Sequence, residues 1–402
     1  MKLGIENFIE NTVLQKPLVN RRLGFLGHAA SVDHRGRHSL DLLKAIKGIN
    51  VKVAFSPQHG FHSEKQDNMI ESGHFYDSER NISVYSLYSE VRKPTPEMMD
   101  AFDVLIVDMQ DLGCRVYTYF TTLLYMLEAC SSYQKQIWLM DRPNPSGRKT
   151  EGLMLEEGWE SFIGSAPVIM RYGMTVAEMG LWYKDLANLD LELHIVPMTG
   201  YDLSKGPGFG WPVNELSWVN PSPNASSLNM ARCYAGTVLI EGSSLSEGRG
   251  TSAPLEMIGA PDLDTTAIQS IMENYAPEWL EGCVLRPCSF EPTSDRFAGI
   301  LCKGWQIHTD NQYYRPDNFK PFRLCALILK SIRLWNPGYP LWINIPFEYE
   351  KKRLPIDLLN GGPKLRQWVD DSQSSSGDLE KLLTVDEEEW IDVQASHKLY
   401  TT

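Results

Sequence analysis

The stretch AFDVLIVDMQDLGCRVYTYFTTLLYMLEACSSYQKQIWLMDRPNP, residues 101–145, decides the fold. An apolar run (VLIV, 104–107) breaks into a polar loop, a helical pattern follows, and a second apolar run (IWLM, 137–140) ends in DRPNP. Short runs with no polar alternation are strands buried on both faces, and a helix between two of them makes a parallel βαβ unit. The rhythm recurs outward in RLGFLGH, VKVAFSP, VYSLY and LHIVPM, with SLDLLKAIKG between the first two. The fold class that follows is α/β, a Rossmann-like doubly wound parallel sheet with helices on its faces.

Near residue 200 the texture changes to Gly, Pro, Asn and Trp in KGPGFGWPVNELSWVNPSPNASS. A chain of 402 residues suggests two cores, so the expectation is a Rossmann-like domain over 1–230 and a smaller α+β domain over 231–402, with a cleft between them. In the second part CYAGTVLIEG and FAGILCKGWQIHT read as strands, PFRLCALILKSIRLW as a helix, and DDSQSSSGDLEK as a surface loop.

The formal net charge of −13, with no basic stripe, speaks against nucleic acid as a partner. The first residues, MKLGIENFIENTVLQKP, lack an apolar signal core, and no window offers about 18 apolar residues without charge. The reading is a soluble, cytoplasmic protein with no membrane partner; oligomeric state is left open. Seven cysteines without a C-x-x-C pair read as free thiols, Cys114 alone lying in a loop of functional residue types. No G-x-G-x-x-G or phosphate-binding loop occurs, so no nucleotide cofactor is expected, and no G-x-S-x-G elbow supports a serine nucleophile. His59, His62, His74, Glu64 and Asp67 are too loosely spaced to define a metal site, and none is assigned.

The informative residues gather where strands end: His28, then Gln58 and His59, then Asp108 and Asp111, then Asp141, Arg142 and Asn144. Open α/β sheets bind ligands outside the carboxyl ends of their strands. Carboxylates, amides and guanidinium forks suit sugar hydroxyls and N-acyl groups, and aromatic rings stack on sugar faces. Gln58, His59, Arg115, Tyr117, Asp141, Asn144, Asn224 and Arg249 are therefore the candidate substrate-binding residues. The same residue types also make internal ion pairs, Asx or proline turns and helix caps, as in SLSE at 244–247.

Read together, SPQHGF, YSLYSEVRKPTPEMMDAFDVLIVDMQDLGCRVYTY, LMDRPNPSG, EG at 151–152, SFIG at 161–164, YGMT at 172–175, PSPN and IEGSSLSEGRGTSAPLEMIGAP resemble, in order, the motifs of the exo-β-N-acetylmuramidase (NamZ-type) glycoside hydrolases. That family was formerly known only as a conserved domain of unknown function, and the resemblance runs from about residue 20 to 345. It implies a Rossmann-like domain, a smaller α+β domain and a cleft in which terminal N-acetylmuramic acid is cut from the non-reducing end of peptidoglycan fragments, a muropeptide substrate. It also suggests Arg115 or Arg249 as the partner of the sugar's lactyl carboxylate.

Many relatives carry P-E-H-G where this chain has P-Q-H-G, so the family's catalytic glutamate falls on Gln58, and an amide cannot transfer the proton. Tyr172 stands where relatives often have His, and Gly27 and His28 where they have Thr-Asn. Glu64 is the substitute the sequence offers, with Asp111 or Glu247 as the opposing carboxylate. The alternative is a catalytically degenerate amino-sugar- or muropeptide-binding protein.

Overall fold

The computed structural model describes residues 1–66 and 70–400; Asp67 lies outside them. Seven strands form one sheet: β1 (Arg22–Gly27), β2 (Asn50–Ser56), β3 (Phe75–Asp77), β4 (Ile82–Ser86), β5 (Val104–Asp108), β6 (Gln136–Met140) and, after the short β7 (Glu151–Met154) and β8 (Ile169–Arg171), β9 (Leu193–Val196). Their spatial order is β3-β4-β2-β1-β5-β6-β9, parallel except for β3 at the edge. Every residue of β5 is buried, as is β1 after its first residue, which is why both read as unbroken apolar runs. Phe25 of β1 sits opposite Ala54 of β2 on one side and Ile106 of β5 on the other. The helix Tyr119–Ser132 carries the chain from β5 to β6, the crossover read from residues 101–145.

The chain winds outward from β1 through β2 to β4, then returns to lay down β5, β6 and β9 on the other side. The reversal falls between β1 and β5, where doubly wound sheets open a ligand crevice. Here that space is filled. Arg142 donates from Nε to Asp108 Oδ1 at 2.5 Å and from Nη2 to Oδ2 at 2.8 Å, both side chains being fully buried. The Ser39 hydroxyl donates to the same carboxylate, and the backbone N–H of Gln110 donates to His28 Nε2 at 3.0 Å. Burial, then the charge of Arg142, hold His28 well below the usual imidazole range, so it stays neutral.

The second part is built on an antiparallel sheet, β10 (Met257–Ala260), β12 (Cys302–His308) and β11 (Val284–Phe290), in the order β10-β12-β11. Against it pack the helices Leu228–Thr237, Thr265–Tyr275 and Pro321–Trp335. Two expectations fail. CYAGTVLIEG is not a strand but the end of the helix Leu228–Thr237 and a 3₁₀ turn, Val238–Gly242, buried throughout. A buried helix and a buried strand carry the same apolar run, and periodicity cannot separate them. DDSQSSSGDLEK is a loop only to Ser375, which caps the long helix Ser376–Ala395 through a reciprocal bond with Asp378.

That final helix returns to the first half. Trp390 is fully buried among the helices of the seven-stranded sheet, 5.1 Å from Trp182 ring to ring, and donates to the carbonyl of Tyr172 at 2.9 Å. Asp386 accepts from the backbone N–H of Met154 at 2.8 Å, and Arg323 holds Glu387 at 2.5 Å and Glu380 at 2.8 Å. Among the described residues no helix is long and apolar enough to cross a membrane.

Candidate active site

A cavity opens beyond the end of β2, walled by the loop 57–60, the turn 116–118, the PSPN loop, the 3₁₀ turn Val238–Gly242 and the segment 347–348. His59 and Gly60 both take positive φ (70° and 85°), turning the chain sharply out of the strand so that Gln58 and His59 face this space. The Gln58 amide is fixed: Thr118 Oγ1 donates to its Oε1 at 2.6 Å, and its own N–H group bonds the carboxyl of Glu348. His59 Nδ1 meets the Lys65 carbonyl at 2.7 Å. Tyr117 lies 4.5 Å from Tyr119 and 5.8 Å edge-on from Tyr234, and Asn224 completes this wall.

Two carboxyls enter from the other half. Arg249 Nη2 donates to Glu241 at 2.7 Å, while Arg249 Nε holds Glu247 at 2.6 Å from behind. Burial above all, opposed by Arg249 and reinforced by Glu247, pushes the Glu241 carboxyl up to about 7. Glu348 is nine-tenths buried or more, and Tyr88 donates its hydroxyl to Oε2 at 3.1 Å. Burial again is the main cause that raises its carboxyl to about 7; Glu241 adds to the rise, and Tyr88 and Gln58 oppose it. Arg92 lies over the Tyr88 ring at 4.0 Å, fixing the phenol that contacts Glu348. Glu348 and Tyr349 both have positive φ (45° and 69°), a backbone state that costs non-glycine residues energy and is held here by the surrounding contacts.

Of the residues singled out in the sequence, Gln58, His59, Tyr117, Asn224 and Arg249 line this cavity. The others lie elsewhere. Arg115 has no exposed surface: its guanidinium donates to the carbonyls of Leu153, Val168, Leu359 and Asn360 at 2.6–3.3 Å, holding β7, the segment before β8 and the 355–360 helix together. Asp141 accepts from Thr175, the backbone of Ala177 and Tyr400, capping the helix Val176–Leu186, and burial raises its carboxyl to about 7. Asn144 forms an Asx turn, accepting from the Ser146 N–H at 2.9 Å and donating to the Met174 carbonyl at 2.8 Å.

Asp111 sits behind Tyr119 in an apolar pouch with Met109, Phe120, Leu123 and Met179, bonded by the Tyr172 hydroxyl and the Gly113 N–H, its carboxyl raised by burial to about 6. Glu247 is buried behind Arg249 and does not reach the opening. Glu64 is about half exposed (48%), because the turn at His59 and Gly60 swings the chain outward and Ser63 then anchors it to the Pro221 carbonyl at 2.7 Å. Cys114 is buried, and burial lifts its thiol to about 12. Glu348 was not singled out: NIPFEYEKK reads as an ordinary charged surface segment, with only its aromatic flanks hinting otherwise.

Two family models cover almost the whole chain: exo-beta-N-acetylmuramidase NamZ, N-terminal, over 23–229, and its C-terminal counterpart over 232–400. The chain belongs to the NamZ family. Its similarity to the peptidoglycan beta-N-acetylmuramidase NamZ of Bacillus subtilis (strain 168) is 32% identity over 333 residues, 83% of this chain and 77% of that one. Two crystal structures of DUF1343 family proteins from Bacteroides fragilis superpose on the NamZ fold seen here. One has a TM-score of 0.84 at 25% identity and the other 0.73 at 23%, each covering 100% of this chain and 99% of its own.

Proposed function

We propose that this chain is an exo-acting β-N-acetylmuramidase that releases terminal N-acetylmuramic acid from the non-reducing end of peptidoglycan fragments. The observation that carries the reading is a carboxyl within hydrogen-bond reach of position 58. Glu348 arrives from the other half of the molecule to the place where the amide of Gln58 cannot transfer a proton. Glycoside hydrolysis takes one carboxylic acid to protonate the leaving oxygen and one carboxylate to act opposite it. Glu348, hydrogen-bonded, without an ion pair among the described residues and raised to about 7, is the acid. Glu241, tied to Arg249, is the ionised partner, and each charge disfavours the other, so one proton between them is the favoured state near neutrality.

Gln58 keeps Glu348 in place, Tyr117 offers a ring to the sugar face, and Arg249 is the guanidinium of this wall for the lactyl carboxylate. The test is turnover of a chromogenic β-N-acetylmuramide against the matching N-acetylglucosaminide. Wild type should cleave the first, and Glu348→Gln should lose the activity. Absence of turnover with binding of the muramide retained would overturn the enzyme reading and leave a degenerate sugar-binding protein.

A further inference from the structure

A second cavity, of about 720 Å³, lies at the seam of the two halves, away from the site above. Its volume falls within the range of roughly 300–1,000 Å³ usual for small-molecule sites. Arg148 and Lys149 reach it from the turn after β6, Arg171 from the end of β8, Arg232 from the helix Leu228–Thr237, Arg315 from the loop after β12, and Lys398 from beyond the final helix. In a chain of net charge −13 this concentration of cations is out of keeping with the rest of the molecule.

Their compensation is partial. Asp317 is the one carboxylate lining the cavity among the described residues, and it pairs with Lys149 at 2.8 Å. Arg148 is bound to the buried Glu178 behind it. Arg171, 1% exposed, donates to the carbonyls of Phe319 and Ser146, and its Nε–H has no acceptor among the described residues; Glu151, which lies near it, is shared with Arg323. A buried guanidinium N–H left without an acceptor costs free energy. Arg232 gives its N–H groups to the carbonyls of Thr309, Pro207 and Gly208 and stacks over Tyr314 at 4.3 Å. Burial and the neighbouring Arg148 hold the Lys398 ammonium below its ordinary range, and burial, with Arg171 contributing, does the same for Arg232.

We propose that this cavity binds a small phosphorylated molecule through its phosphoryl group. Cations converging from five separate segments suit a compact tetrahedral oxyanion carrying more than one charge better than a planar carboxylate held by one fork. The space exceeds what a bare phosphate needs, and Leu203 and Phe209 add apolar surface to its lining. Because both halves contribute, occupancy would tighten the seam.

Calorimetric titration of the full chain at fixed ionic strength tests this with inorganic phosphate, glucose 6-phosphate and glucose. The double variant Arg315→Ala/Lys398→Ala, whose two residues are exposed, is titrated alongside. Saturable binding of glucose 6-phosphate, absent for glucose and weakened about tenfold or more in the variant, is the expected result. Equal affinity for inorganic phosphate would identify the free anion as ligand and leave the phosphoryl site standing. No saturable binding of either phosphate, or binding unchanged in the variant, would overturn the proposal. The readout does not use turnover, so it is independent of the muramidase reading.

Discussion

Two regions at the carboxyl edge of the same sheet hold buried ionisable groups, and they differ in how those groups are satisfied. Between β1 and β5, Asp108 and Arg142 bond each other through two contacts, with Ser39 on the same carboxylate. Beyond β2, Glu241 and Glu348 share a cavity, both raised to about 7, with Arg249 divided between Glu241 and Glu247. The first arrangement is a buried, doubly bonded ion pair that serves as an internal brace. The second has two protonation states close in energy at neutral pH, which proton transfer requires.

The sharpest break in the comparison is Glu348→Gln. It keeps the shape while removing the proton, so kcat on a chromogenic muramide should fall by about 10²–10⁴. The thermal midpoint should not fall. Arg142→Ala should do the opposite: it strands a buried carboxylate and costs about 3–5 kcal/mol in urea unfolding, with residual folded protein retaining its kcat. Equal loss of kcat in that variant would place the β1–β5 region within the active site after all.

A third prediction concerns pH. Glu348 and Glu241 have folded values above the ordinary 4.5, so between about 4.5 and 7 the folded chain binds protons that the unfolded chain releases. Their contribution is therefore fully present below about pH 4.5 and is lost as pH rises through about 7. Glu348→Gln should flatten that decline, measured as unfolding free energy from pH 5 to 8. kcat of wild type should fall on the alkaline side of about 7, where Glu348 gives up its proton. The smallest effect belongs to Glu64→Gln, whose half-exposed side chain lies outside the cavity. Activity within about twofold of wild type is expected, as for a surface substitution, and a loss beyond tenfold would return Glu64 to the mechanism.

Much of this was legible in the residues. Unbroken apolar runs gave the parallel sheet, and polar strand ends gave the edge at which Gln58, His59 and Tyr117 stand. What the pattern could not distinguish was purpose. Arg115, Asp141 and Asn144 are the same residue types on the same edge, yet they are spent on carbonyls, a helix cap and an Asx turn. Glu348 was invisible for a different reason: its contact with Tyr88 spans 260 residues of chain, and it sits on a loop without periodicity, with a backbone conformation no local signal announces. Long-range pairing of that kind follows from how two halves dock.

The return of the last helix has a consequence for the order in which the molecule can be made. Trp390 fills a space among the helices of the seven-stranded sheet, and Asp386 and Glu387 bond the backbone of β7. A nascent chain leaving the ribosome therefore holds its first half with a hole in it until residue 390 has emerged, long after the strands around that hole have been synthesised. Docking of the final helix therefore completes the packing of the first half.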